Sequence, residues 1–201
     1  MSTIESICVY CGSAPGARAA YTDAAVTLGR AMAAAGVRLV YGGGSTGLMG
    51  EVARATLAAG GKVTGIIPQF LVDREVMLRD VDDLIITEDM HERKRLMFER
   101  SDAFVALPGG IGTLEETVEM LTWLQLGRHM KPVVVANIDG FWRPFSDLIA
   151  HMEQEGFIRE GMDVVLQTVD RAEDLLPAVQ ALASRMPEAD QRAGAASLSN
   201  L

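Results

Sequence analysis

The sequence predicts an α/β protein: a Rossmann-like three-layer fold, a parallel sheet with helices on both faces. Three observations carry this. Short apolar runs alternate with longer segments of helical period along the chain. The runs are continuous rather than alternating, as expected of strands buried on both sides. Glycine-rich turns follow three of them, at 12–16, 42–50 and 108–112. In parallel sheets such turns sit at the carboxyl ends of the strands, where ligands bind.

Ile4–Tyr10 reads as the first strand and ends in Cys11-Gly12-Ser13-Ala14-Pro15-Gly16. Tyr21–Ala35 is alanine-rich with apolar residues at helical spacing, and Gly36 closes it. Val37–Tyr41 is a second strand, followed by Gly42–Gly50 and a helix to about Ala59. Lys62–Ile67 is a third strand, stopped by Pro68. The charged stretch 69–80 has no clear period and reads as a loop placed to cover a site. Asp83–Thr87 is a fourth strand and Asp89–Ser101 a helix. Ala103–Leu107 is a buried strand, Pro108–Gly112 a turn, and a helix opening at Thr113 runs to about Leu126. Pro132–Ile138 is a strand, Trp142–Glu155 a helix, Val164–Thr168 the last strand and Ala172–Met186 the last helix. The expectation is one nucleotide-binding domain over 1–186. After Pro187 the chain turns polar and rich in Ala, Ser and Gly, which reads as a flexible tail over 187–201.

A chain of 201 residues suits one domain with a full core. The net charge of −9 argues against a nucleic-acid polymer as partner, since that requires a basic face. A local anion cradle can still oppose the global charge. No apolar run reaches membrane-spanning length and no signal peptide is apparent, so a cytoplasmic protein is expected. Cys8 and Cys11 form Cys-x-x-Cys, but Cys8 lies inside a strand rather than at a helix start, where a thiol would be activated. With three scattered histidines there is no metal-ligand spacing, and the two cysteines read as reduced core thiols.

The stretch Pro108-Gly109-Gly110-Ile111-Gly112-Thr113-Leu114-Glu115-Glu116 is the most informative. Glycines let backbone N–H groups approach a ligand closely, and the helix start adds unpaired donors and the positive dipole end. Together they suit a phosphate. Glu116 has a bland alternative, since Thr113-x-x-Glu116 also reads as a capping box. Gly42-x-Gly44-x-x-Gly47 fits the dinucleotide fingerprint. The next strand, however, ends Ile66-Ile67-Pro68 without the acid that would hold a ribose, which favours a mononucleotide or sugar phosphate over NAD. No Gly-Lys-Ser/Thr follows either turn, so a hydrolytic P-loop is absent. In the helix 89–101, Met90, Arg93, Met97 and Ser101 share a face that otherwise looks inward. Arg93 is there either a snorkelling surface residue or a buried cation that needs an anion.

Pro108–Glu116 matches Pro-Gly-Gly-x-Gly-Thr-x-x-Glu, and Met90-His91-Glu92-Arg93-Lys94 matches its companion motif. With Gly42–Gly50 and Tyr10–Ser13, the chain resembles the Lonely guy family of cytokinin riboside 5′-monophosphate phosphoribohydrolases over about residues 4–180. Members were often labelled lysine decarboxylases, but no independent sign of a pyridoxal-phosphate lysine supports that label here. The resemblance implies hydrolysis of the N-glycosidic bond of an adenosine 5′-monophosphate, N6-modified or not, without metal or cofactor, by a homodimer. It implies Arg93 and Glu116 as catalytic residues. Substrate contacts would come from Glu75, Lys94, Gly109, Gly110, Ile111, Gly112, Thr113, Leu114, Glu115 and Thr122, with Ser13, Gly43 and Gly44 from the other turns. Met120 and Trp123 are the apolar residues expected at the subunit contact. Two alternatives stay open: a broader salvage nucleosidase, and a non-catalytic nucleotide or molybdenum-cofactor binding protein of the same fold.

Overall fold

The computed structural model describes residues 4–72, 77–159, 161, 164 and 166–185. Glu75 and the tail expected over 187–201 lie outside them. The described strands form one sheet in the order β4-β3-β2-β1-β5-β6-β7, in which every pairing is parallel. Its strands are β1 (Ser6–Tyr10), β2 (Arg38–Tyr41), β3 (Val63–Pro68), β4 (Asp83–Thr87), β5 (Ala103–Ala106), β6 (Val133–Ala136) and β7 (Gln167–Val169). Helices α1 (Ala19–Ala34), α2 (Gly47–Ala58), α3 (Gln69–Val72), α4 (Met90–Glu99), α5 (Ile111–Gln125), α6 (Arg143–Gln154) and α7 (Leu175–Ser184) complete the three layers.

The period-two pleat explains why the strands read as continuous apolar runs. Ile7 and Val9 of β1 face the layer of α1, α2 and α7, in one core cluster with Leu28, Val52 and Val179. Cys8 and Tyr10 face the opposite layer with Met97, Phe98, Phe104 and Met120. Both faces of the strand are therefore dry. The link from α5 to β6 is fixed by buried His129. Its Nδ1 accepts from Lys131 N–H at 3.1 Å, so Nε2 is the protonated nitrogen and donates to the Met120 carbonyl at 3.0 Å.

The strand order reverses between β1 and β5, from which neighbouring strands run outward in both directions. The crevice of a doubly wound sheet opens at this switch point. Several boundaries differ from those the sequence predicts, and three of the differences are informative. The stretch 69–80 is helical at its start, over Gln69–Val72. Helix α5 begins at Ile111 rather than Thr113 because Gly110, extended at φ −92° and ψ −159°, is its N-cap. The last strand is Gln167–Val169, short and set by pairing to β6 rather than by its own hydrophobicity.

Candidate active site

The three glycine turns pack together at the carboxyl ends of β1, β2 and β5. Leu107 N–H donates to Tyr10 O at 2.9 Å and Gly12 N–H to Pro108 O at 3.1 Å, carrying the β1–β5 pairing into the turns. A Cβ on Gly12 would lie 3.3 Å from the Gly109 Cα, and one on Gly109 would overlap Thr113. These two glycines are needed for packing. Gly43 is needed for conformation, with φ at +78°, and its carbonyl accepts from Leu78 N–H at 3.2 Å. Met77 makes a bridge to Gly44, so the chain returning from the 69–80 stretch is laid on the second turn. Thr46 Oγ1 donates to the carbonyl of exposed Ser13 at 3.1 Å, tying the first and second turns.

Gly110 and Gly112 differ from these. A Cβ at either would meet nothing within 4 Å, and neither adopts a positive φ. Neither packing nor conformation asks for glycine there. What their bareness gives is open access to the first N–H groups of α5, whose N-cap offers no side-chain bond.

Helix α4 delivers two cations to the same end of the sheet. It starts where it does because Asp89 caps it, accepting from Glu92 N–H at 2.8 Å. Glu92 in turn accepts from Glu88 N–H at 2.8 Å. Arg93 then falls on the inward face with Met97, and only 10% of its side chain is exposed. Its Nε donates to the Ile66 carbonyl at 3.2 Å and its Nη2 to the Gly42 carbonyl at 3.5 Å. The snorkelling alternative is thereby excluded. A Cβ on Gly42 would collide with that guanidinium, so the end of β2 is bare to leave it room.

Opposite Arg93 stands Glu116, its Oε1 4.0 Å from Nη1 and its side chain 12% exposed. The capping-box alternative fails, because Thr113 is the third residue of α5 and Gly110 its cap. Burial pushes the Glu116 carboxyl up to about 7, Arg93 and Lys94 pull it down, and Glu115 and Glu119 push it up. At 4.0 Å the arginine only partly offsets burial.

Lys94 lies on the outer side of the same pair. Its Nζ donates to Glu115 Oε1 at 2.8 Å and to Glu119 Oε1 at 2.9 Å. Burial opposes its charge, but the two carboxylates prevail and hold it above the usual lysine range. Thr113 is buried beneath Gly109, and its carbonyl accepts from Thr117 Oγ1 at 2.6 Å. Ile111 is 82% exposed beside the bare turn, and Leu114 leans outward into a groove between α5 and α6. Thr122 lines that groove too, roughly 120° around α5 from Glu116. The fold thus gathers Arg93, Lys94, Glu115, Glu116 and the turn 109–113, and leaves Thr122 outside the crevice. Sequence reasoning passed over Glu119 and took Gly42 only as part of a glycine fingerprint. An acid three residues after Glu116, set among Val118, Met120 and Leu121, was the available signal. Among the described residues, no group of three or more His, Cys, Asp or Glu is arranged to hold a metal ion.

The family model described as "possible lysine decarboxylase" matches residues 49–179. The chain is 49% identical over 175 residues to the cytokinin riboside 5′-monophosphate phosphoribohydrolase LOG of Oryza sativa subsp. japonica, covering 87% of this chain and 72% of that protein. It is 45% identical over 175 residues to the Arabidopsis thaliana phosphoribohydrolase LOG3, covering 87% of this chain and 81% of the relative. Among solved structures, the molybdenum-cofactor carrier protein of Chlamydomonas reinhardtii superposes with a TM-score of 0.66 at 23% identity, over 90% of this chain and 98% of the other. The molybdenum-cofactor binding protein of Rippkaea orientalis gives a TM-score of 0.66 at 22% identity, over 90% and 99%. At such identities the two structures share the fold alone.

Proposed function

Because the chain belongs to the Lonely guy family, we propose that it hydrolyses the N-glycosidic bond of an adenosine 5′-monophosphate, plain or N6-modified, to free base and ribose 5-phosphate. The observation that carries the reading is the Arg93–Glu116 pair, buried beside a turn whose Gly110 and Gly112 are required by neither packing nor conformation. Water adds at C1′, the bond from C1′ to the base nitrogen breaks, and the base leaves with its electron pair and a proton. Positive charge grows on the ribose ring in the transition state. The Glu116 carboxylate opposes that charge and takes the proton of the attacking water. Arg93, anchored on the Ile66 and Gly42 carbonyls through two nitrogens of its planar fork, turns the third to the carboxylate and fixes its place. The N–H groups of 111–113 grip the 5′-phosphate, and this non-reacting end orients C1′. The buried, unpaired thiols Cys8 and Cys11 fit a reducing compartment, the cytoplasm. No helix among the described residues is long and apolar enough to cross a membrane.

Incubation with AMP and with N6-isopentenyl-AMP, scoring free base by chromatography, tests the reaction. Release of base from neither overturns it. Adenosine in place of AMP should lower kcat/KM by about a hundredfold or more, since several charge-assisted bonds are lost. Equal kcat/KM for the two would remove the phosphate cradle. Gly42→Ala should lower kcat by roughly tenfold or more by displacing the Arg93 guanidinium, a 1 Å misplacement sufficing for such a loss. An unchanged kcat would show that the guanidinium finds another seat.

The same reading includes a homodimer, for which we propose a contact other than the Met120 and Trp123 one. Met120 is buried in the core and so is not available to a partner, while Trp123 is half-buried and packs edge-on against Phe98 with ring centroids 5.3 Å apart. The helix pattern is apolar around most of the circumference, and the sheet has taken that face. What remains open is the groove of about 320 Å³ between α5 and α6, with Val118 40%, Leu148 47%, Met152 41% and Phe157 84% exposed. Helix α6 has an apolar stripe and not one buried residue. Such a face in a compact protein usually marks a contact, and a two-fold pairing would cover it on both copies. Leu148→Arg with Met152→Arg should halve the mass seen by light scattering. An unchanged mass would place the dimer contact elsewhere.

A further inference from the structure

Helix α5 presents three carboxylates to α4, from Glu115, Glu116 and Glu119, and α4 answers with two cations, Arg93 and Lys94. The pairing is unequal. Lys94 Nζ takes Glu115 and Glu119 together, at 2.8 and 2.9 Å, while Glu116 alone faces Arg93 at 4.0 Å. Glu119 is three residues from Glu116 and so on the same side of the helix. Its Oε1 is held by Lys94, and its Oε2 is buried without a hydrogen-bond partner among the described residues. A carboxylate is therefore kept at close quarters to Glu116 with one ammonium to restrain it. Freed from Lys94, Glu115 and Glu119 would compete for the guanidinium and repel the third carboxylate.

We propose that Lys94 and Glu119 form a positioning pair that gathers the two flanking carboxylates away from Arg93, so that Glu116 alone meets the guanidinium and the reacting ribose. The proposal rests on the hydrolase reading above, and it gives Lys94 a task other than contact with substrate. The groups facing Glu116 are Arg93 and Lys94 from α4, Glu115 and Glu119 from α5, and Cys8, Tyr10 and Cys11 from β1 and its turn. Burial holds the last three far above their usual ranges and hence uncharged. Only the four charged groups act on the carboxylate, with opposite signs: Lys94 favours its ionised form and Glu119 opposes it.

The test is the pH dependence of kcat and KM for AMP in Lys94→Met, Lys94→Arg and Glu119→Gln. In parallel, the Glu116 carboxyl is titrated by NMR in protein carrying 13C-labelled glutamate. Lys94→Met should move the acid limb of kcat up by about one pH unit, with KM at the plateau changed less than about threefold. Lys94→Arg should restore most of that shift. Glu119→Gln keeps the shape and the oxygen that Lys94 binds, and should move the limb down by a similar amount. A tenfold rise in KM with an unmoved limb would make Lys94 a phosphate contact and overturn the pair. Shifts of one sign in Lys94→Met and Glu119→Gln, or none in Glu119→Gln, would do the same. Should Lys94→Met fail to fold, the Glu119→Gln arm decides alone. The titration separates this from the hydrolase reading: opposite shifts in a protein that releases no base would keep the pair and remove the reaction.

Discussion

Glu116→Gln lowers kcat for AMP by about 10² to 10⁴-fold, the usual weight of a positioned catalytic carboxylate. The amide keeps the shape and removes the charge. The variant should also be more stable than the wild type at alkaline pH, which distinguishes a buried catalytic carboxylate from one kept for stability. The carboxyl ionises near 4.5 when exposed and near 7 in the fold. Between those values the folded chain holds a proton that the unfolded chain has lost. Stability contributed by this group is fully present below about 4.5 and is lost as pH rises through about 7. Glutamine removes that loss, so at pH 8 the gain is at most roughly 3 kcal/mol. Activity of the wild type should rise through the same range, because the ionised form is the one that acts. Urea melts of both proteins at pH 5 and pH 8, with kcat across that span, check both claims. A variant that keeps its kcat would strip Glu116 of its role.

Arg93→Lys should lower kcat by about 10² to 10³-fold while leaving a folded protein. An ammonium carries the same charge but one point of attachment. The guanidinium reaches Ile66 O and Gly42 O with two nitrogens and presents a third to Glu116. Lysine can satisfy one of those carbonyls or face the carboxylate, not all three. Its neighbour Lys94 does not substitute, being held by Glu115 and Glu119. Steady-state kinetics with AMP decide the matter, and turnover within threefold of wild type would refute the forked role.

Much of this was legible in the residues. Continuous apolar strands and glycine turns announced the buried parallel sheet, and Arg93 on an otherwise apolar face announced a buried cation in need of an anion. Other features depend on what tertiary contact selects. Helix α5 is apolar nearly all round, so its sequence does not say which side the sheet takes; Met120 and Leu121 went in and Val118 stayed out. The Lys94 pairing joins residues 21 and 25 positions apart, on two helices. The balance at Glu116 needs a distance and a burial, and a sequence supplies neither. Helix α5 starts at Ile111 rather than Thr113 because a glycine, not the threonine, took the cap.

The central place of β1 bears on how the crevice comes into being. Its partner β5 arrives nearly a hundred residues later, with Ile7 against Ala103, and Asp102 Oδ2 accepts from Glu5 N–H and Ser6 N–H at 3.0 and 2.9 Å. Closing a loop of that length costs about 4 kcal/mol in chain entropy beyond a constant. Nothing repays this until several strand bonds form at once, and long-range parallel pairings of this kind fold slowly. During synthesis the nascent chain can assemble β1, α1, β2 and α2 locally, while Arg93 and Glu116 wait on opposite sides of an unclosed gap. Because Arg93 is seated on the Gly42 and Ile66 carbonyls and Glu116 on the helix that follows β5, the reactive pair is expected to be complete only after β1 and β5 have paired.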